Sequence, residues 1–167
     1  MTSLPLPTPP FEGELARLLP DATPQRLRGT AAPEGAPNVL LILLDDVGFG
    51  SCGPFGGPVP MPALERVAAQ GLRYNQFHTT ALCSPTRAAL LSGRNHHVNN
   101  MGSITETATA FAGQTGQRPD SVAPLAEMLR LNGYSTAAFG KSHETAAWEV
   151  SPSGPTDRWP TRSGFDK

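Results

Sequence analysis

The sequence predicts an α/β domain, a mostly parallel sheet flanked by helices, and three observations carry that expectation. Short apolar runs alternate with segments of helical periodicity, the helical segments stop at glycines, and three of the apolar runs end in reactive residues. Strands joined through helices read as continuous apolar stretches because both faces of such a sheet are covered. The groups that do chemistry in these sheets gather beyond the carboxyl ends of the strands.

Taken in order, residues 1–36 are rich in Pro, Ala and Thr without sustained periodicity and read as an extended N-terminal arm, in which "ELARLL" (14–19) could form one helical turn. Residues 37–167 read as the domain. Its first element is "NVLLILLDD", an apolar run from Val39 to Leu44 suited to a strand buried on both faces, closed by Asp45 and Asp46. A Gly-rich loop (48–60) precedes a helix in which Pro62 suits the first turn, Leu64, Val67 and Ala68 share a face, and Gly71 suits the C-cap. "LRYNQFHTT" (72–80) follows as a strand. Two further helices are expected over Pro85–Ser92 and Val122–Asn132, with Gly93 and Gly133 as their stops. Between them, 105–121 reads as a long surface loop, and "YSTAAFG" (134–140) as a short buried strand.

Composition narrows the function classes. Gly 17 and Pro 18 in 167 residues imply much loop, and 13 basic against 14 acidic residues give a net charge of -1. A balanced chain has no broad field to steer it toward nucleic acid or anionic lipid, so neither is expected as a partner. The N-terminus lacks a basic and apolar leader pattern, and no apolar run approaches the roughly twenty residues of a membrane span, so a soluble cytoplasmic protein is expected. Cys52 and Cys83 lie in different settings and are expected to be free thiols.

Four places carry residues suited to chemistry. Asp45 and Asp46 set two hard oxygen ligands at a strand end, where they would hold a divalent cation or else cap a turn and face water. Cys83 stands just before a helix whose N1 or N2 position is Pro85, where free N–H groups favour an anion; the alternative is a small buried hydrophobe. Arg87 falls about one helical turn beyond Cys83 and can point its donors to the same spot, or lie solvated. Lys141 and His143, two positions apart after Gly140, supply a fixed positive charge and a proton carrier on one side of an extended segment. His78, His96 and His97 lack ligand spacing, and Arg94 reads as a loop residue.

These pieces together resemble a known family. "CSPTRAALLSGR" is similar to the sulfatase signature C-x-P-x-R, three residues, L-[ST]-G-R, with Cys83, Pro85, Arg87, Leu91, Ser92, Gly93 and Arg94 in register. "PNVLLILLDDVGFG", "ALERVAAQGLRYNQFHTTA" and "YSTAAFGKSH" resemble the family's opening strand, the helix and strand before the signature, and its G-K-x-H segment, in the same order. The resemblance implies an alkaline-phosphatase-like sulfatase fold, here incomplete, and an arylsulfatase that hydrolyses sulfate esters to an alcohol or phenol plus inorganic sulfate.

It further implies that Cys83 is converted to formylglycine by a sulfatase-maturating enzyme that recognises Pro85 and Arg87. Of the aldehyde hydrate's two hydroxyls, one would attack sulfur and release the alcohol; loss of a proton from the other would expel sulfate. Asp45, Asp46 and the position-83 hydroxyl would bind one calcium ion, Arg87 would steady the hydrate, Lys141 would hold the sulfate, and His143 would hydrogen-bond the second hydroxyl. Ser142 stands where many sulfatases carry Trp, which alters a pocket wall. Family members supply another Asp/Asn pair, a second lysine and a second histidine from later sequence, so this chain is expected to be an N-terminal fragment inactive alone. The alternatives are a phosphonate or phosphate monoester hydrolase of the same superfamily, or a non-catalytic remnant.

Overall fold

The structure, a computed structural model, describes residues 10–25 and 31–167. The chain divides into two units, Met1–Ala31 and Ala32–Lys167. In the first, Glu14 and Thr23 exchange both backbone hydrogen bonds at 2.9 Å, and a single 3-10 turn, Leu19–Asp21, closes the loop between them. The helical turn expected at 14–19 is not formed, because the Glu14 backbone is paired with Thr23 and Leu18 is extended, so that helical geometry begins only at Leu19. The parts of the expected arm at 1–9 and 26–30 lie outside the described residues.

The second unit contains helices α1 (Pro62–Gln70), α2 (Cys83–Ser92) and α3 (Leu125–Leu131). Pro62 opens α1, where its missing N–H costs nothing because the first N–H groups of a helix have no internal partner. Gly93 ends α2 in the left-handed region at φ 66, and Gly133 follows α3 at φ 85, as helix stops require. Gly71 ends α1 with an extended backbone instead. The third helix starts at Leu125 rather than at Val122, since Pro124 disfavours helical geometry at Ala123. Cys83 is the first residue of α2, not the residue before it; Leu82 is the N-cap and Pro85 is third, where its lack of an N–H is still harmless.

The expected sheet is not assembled among the described residues. Val39–Leu44 makes no backbone hydrogen bond there, and Leu40 is 84% exposed where a strand buried on both faces was expected. The strand expected at 72–80 is likewise unpaired. Thr136–Ala138 comes nearest: Ala138 N–H donates to Lys167 O at 2.8 Å and Lys167 N–H to Thr136 O at 3.3 Å, the pattern of a parallel pair in its first step. Parallel pairing between distant segments is needed for a run to acquire strand geometry, and of the three expected strands only 134–140 has such a neighbour among the described residues, at Asp166 and Lys167.

Among the described residues the buried apolar ones are Ala88 in α2, Ala126 in α3, and Met101, Val122 and Ala146 in the connecting segments, and α2 packs on α3. Around them the stretch after α2 folds back on itself rather than running loose over the surface. Asn99 donates to Ser92 Oγ at 2.9 Å, Gly116 N–H to Asn100 O at 2.8 Å, and Gly102 N–H to Gly113 O at 2.8 Å. Among the described residues no helix is long and apolar enough to cross a membrane.

Candidate active site

Helix α2 sets the geometry. Its 3.6-residue period places Cys83 and Arg87 on one face. Arg87 is 7% exposed, and its guanidinium bridges two other segments: Nη2 donates to Asp45 Oδ1 at 3.2 Å and Nη1 to the Lys141 carbonyl at 2.6 Å. Lys141 Nζ donates to the other Asp45 oxygen, Oδ2, at 2.7 Å. Gly140, at φ 95, provides the bend that lets Lys141 offer its carbonyl to Arg87 and its ammonium to Asp45. The Lys141 and Arg87 hydrogen bonds hold the Asp45 carboxyl below its usual range, and the Asp45 bond holds Lys141 above its own.

Cys83 meets His143. Its Sγ lies 3.0 Å from His143 Nδ1, and both cysteines are free thiols. His143 has φ 56, a left-handed backbone that non-glycine residues seldom adopt, so this part of the segment is bent and not extended. Lys141 and His143 nonetheless converge on one place, one through Asp45 and the other through Cys83. On the far side of the ring, His143 Nε2 lies 2.9 Å from each Glu106 oxygen, and that contact holds the Glu106 carboxyl below its usual range.

A cleft of about 540 Å³ opens here, lined by Asp45, Asp46, Cys83 and Arg87 against Phe49, Phe55 and Phe77. Arg87 in an apolar-walled cleft, with Lys141 bonded to the lining Asp45, suits an anion carried on an apolar or aromatic body. The Arg87 Nε is buried with no hydrogen-bond partner among the described residues, which leaves one donor of the fork free.

Asp46 lines the same cleft and makes no side-chain hydrogen bond among the described residues. Asp45 and Asp46 are hard oxygen donors of the type calcium takes. Asp45, Asp46 and Cys83 do not, however, form a ligand cluster: no group of three or more His, Cys, Asp or Glu side chains among the described residues is arranged to hold a metal. Both Asp45 oxygens are already met by cations. The donor type therefore fits a hard cation, and the donor number is short of the six to eight oxygens calcium usually takes.

His96 and His97 belong to the scaffold after α2: their rings lie 4.2 Å apart, and His96 Nδ1–H donates to the Met101 carbonyl at 3.2 Å. Arg94 is exposed and contributes backbone contacts to that scaffold. Two groups near the site were not singled out by the sequence. Glu106 sits in a stretch read as surface loop; its signal was being the sole Asp, Glu, Lys or Arg between Arg94 and Arg118. Glu144, beside His143, is pushed up to about 7 by burial, against the opposing charges of Arg118 and Arg87.

A family model described as Sulfatase matches residues 37–167. An uncharacterized sulfatase of Schizosaccharomyces pombe is 39% identical over 77% of this chain and 23% of its own length. An arylsulfatase of Klebsiella aerogenes is 35% identical over 68% of this chain and 25% of its own. A steryl-sulfatase of Mus musculus is 35% identical over 98% of this chain and 27% of its own. The chain thus spans about a quarter of the length of the curated relatives it matches.

Proposed function

The chain belongs to the sulfatase family, and from that premise we propose that it carries part of the active site of an arylsulfatase, a sulfuric ester hydrolase acting on small-molecule sulfate esters. The observation that carries this reading is the convergence of four residues from two segments about sixty positions apart. Cys83 and Arg87 on α2 meet His143 and Lys141, with Cys83 Sγ 3.0 Å from His143 Nδ1 and both cations on Asp45.

Each side chain has a role that follows from its placement. Arg87, buried and anchored at two of its nitrogens, keeps a directional charge at the floor of the cleft, where an ester's sulfuryl group would sit. Lys141, held charged by Asp45, adds a second fixed cation; together they stabilise negative charge as it moves from sulfur toward the leaving oxygen. His143 stands within hydrogen-bond reach of the substituent at position 83 and can take a proton from a hydroxyl there. Phe49, Phe55 and Phe77 offer an apolar wall for an aryl group.

Cys83 is the position that formylglycine formation would convert, and that modification would supply an aldehyde hydrate as nucleophile. Asp45 and Asp46 would hold calcium, which supplies fixed positive charge for the sulfate oxygens. The alkaline-phosphatase-like α/β architecture of the whole catalytic domain, of which 37–167 would be the N-terminal part, belongs to the same proposal.

The reading is tested by assaying the full-length protein of which residues 37–167 would be the N-terminal part, made in cells that contain a sulfatase-maturating enzyme, against an aryl sulfate, an aryl phosphate and an aryl phosphonate. Sulfate hydrolysis that disappears in Cys83→Ala is expected. A faster rate on phosphonate would reassign the substrate class, and turnover retained in Cys83→Ala would remove Cys83 from the reaction.

A further inference from the structure

We propose that Glu106 is a positioning residue for His143, fixing the imidazole so that Nε2 carries a proton and Nδ1 faces position 83 as an acceptor. This deepens the functional reading above and rests on it for the identity of the group at position 83. A neutral imidazole has one N–H, and an ionised carboxylate can only accept. With both Glu106 oxygens 2.9 Å from Nε2, the proton lies on Nε2 and the Nδ1 lone pair points at Cys83, 3.0 Å away. His143 therefore acts toward position 83 as a base, and Glu106 offsets the charge the ring gains on taking a proton.

Glu106 is held for this task. It is the middle residue of the 3-10 turn Thr105–Thr107, with Thr105 buried beneath it at 3% exposure. Thr105 Oγ1 donates to Glu106 Oε2 at 3.2 Å, and Ser103 and Thr107 hydroxyls bond each other at 2.6 Å across the turn. At its base the segment is fixed by buried Met101 and by the Asn100 bonds to Gly113 and Gln117. His143 is fixed as firmly: its left-handed backbone and two filled ring nitrogens leave the ring one orientation. An ordinary surface pair lacks this construction, for the Glu106 side chain is 59% exposed but the ring it meets is only 18% exposed.

The test reads the imidazole directly and the reaction separately. In proton NMR spectra of the whole protein, His143 should give a downfield, slowly exchanging Nε2–H resonance. Glu106→Ala should abolish it, and Glu106→Gln, whose amide oxygen still accepts, should keep it at a less downfield position. In the full-length matured protein with an aryl sulfate, Glu106→Ala should lower kcat by roughly 10- to 100-fold with KM changed less than about twofold, the size seen when a carboxylate behind a functional histidine is removed, and Glu106→Gln should recover most of it. An Nε2–H signal unaltered in Glu106→Ala, or a loss confined to KM, would overturn the proposal. A full-length matured protein without sulfatase activity whose Nε2–H signal still depends on Glu106 would overturn the sulfatase reading and support the positioning role.

Discussion

Arg87 joins three segments through one planar group. It satisfies the Lys141 carbonyl and one Asp45 oxygen from a nearly buried position. Arg87→Lys keeps the charge but loses the fork, so activity is expected to fall by about 100-fold or more, as when a directional transition-state donor is lost. The accompanying loss of stability should be about 1–3 kcal/mol, discounted because Asp45 is partly exposed. Urea denaturation beside kinetics separates the two. Cys83 makes a second residue-scale prediction: the tryptic peptide Tyr74–Arg87 should be about 18 Da lighter after conversion of the thiol to an aldehyde. Glu144 makes a third, in pH. Its carboxyl titrates near 7 in the folded protein against 4.5 for an unperturbed glutamate, so the folded state binds the extra proton between those values. Stability is then full below about 4.5, falls as pH rises toward about 7, and is level above. Glu144→Gln should flatten that slope and raise the melting temperature at pH 8 but not at pH 4, by several degrees for a change of about 1–3 kcal/mol. Equal slopes in both proteins would remove burial as the cause.

Helix α2 shows what local pattern can and cannot specify. Its periodicity and stop glycine made the helix legible to within two residues, and the Cys83 to Arg87 spacing made its functional face legible, because both depend on neighbours in sequence. Glu106 was not legible: its partner lies 37 positions away, and nothing in "SITETATA" fixes a turn under His143. The strands failed for the same reason in stronger form. An apolar run such as Val39–Leu44 states that it can be buried, but its pairing partners come from distant chain, and none lies beside it among the described residues. Thr136–Ala138 has acquired one, and Gly164 is what permits it. Gly164 has φ 95, and a side chain there would collide with the backbone of α3 at Glu127. Gly164→Ala should therefore lift Phe165–Lys167 off Thr136–Ala138, and amide exchange at Ala138 and Lys167 should rise by an order of magnitude or more, as expected for loss of local protection. Unchanged protection at both amides would mean that the pairing does not depend on that close approach. The burial of Ser84, Pro85 and Arg87 in α2 has its own consequence for the proposed maturation. A modifying enzyme can read that segment only before it is helical and covered, so chain folded with an intact Cys83 should resist conversion that the denatured chain accepts.

At the scale of the molecule, the outstanding feature is apolar surface. Leu40 is 84% and Ile42 64% exposed, Leu72 and Phe139 are 82% and 90% exposed, and a second cleft of about 330 Å³ between α1 and Phe77 is lined by Leu64, Val67, Leu72 and Tyr74. Single exposed leucines are ordinary, whereas a continuous apolar run beside an unpaired backbone is a site for association. The run offers both ingredients, side chains that gain by leaving water and N–H and C=O groups that have no backbone partner among the described residues and could form a ladder. Net charge -1 supplies almost no long-range repulsion to oppose that contact. The chain should therefore self-associate with rising concentration. Alternate residues of an extended run point to the same side, so Leu40→Lys with Ile42→Lys places two charges on one face and leaves Asp45, α2 and the Lys141–His143 segment untouched. Sedimentation velocity across a tenfold concentration range should show the unsubstituted chain moving to larger species while the double variant stays near the monomer. A chain that sediments as a monomer throughout would mean that this surface is covered in solution, and the strand geometry missing from Val39–Leu44 should then be visible as protected amides along it.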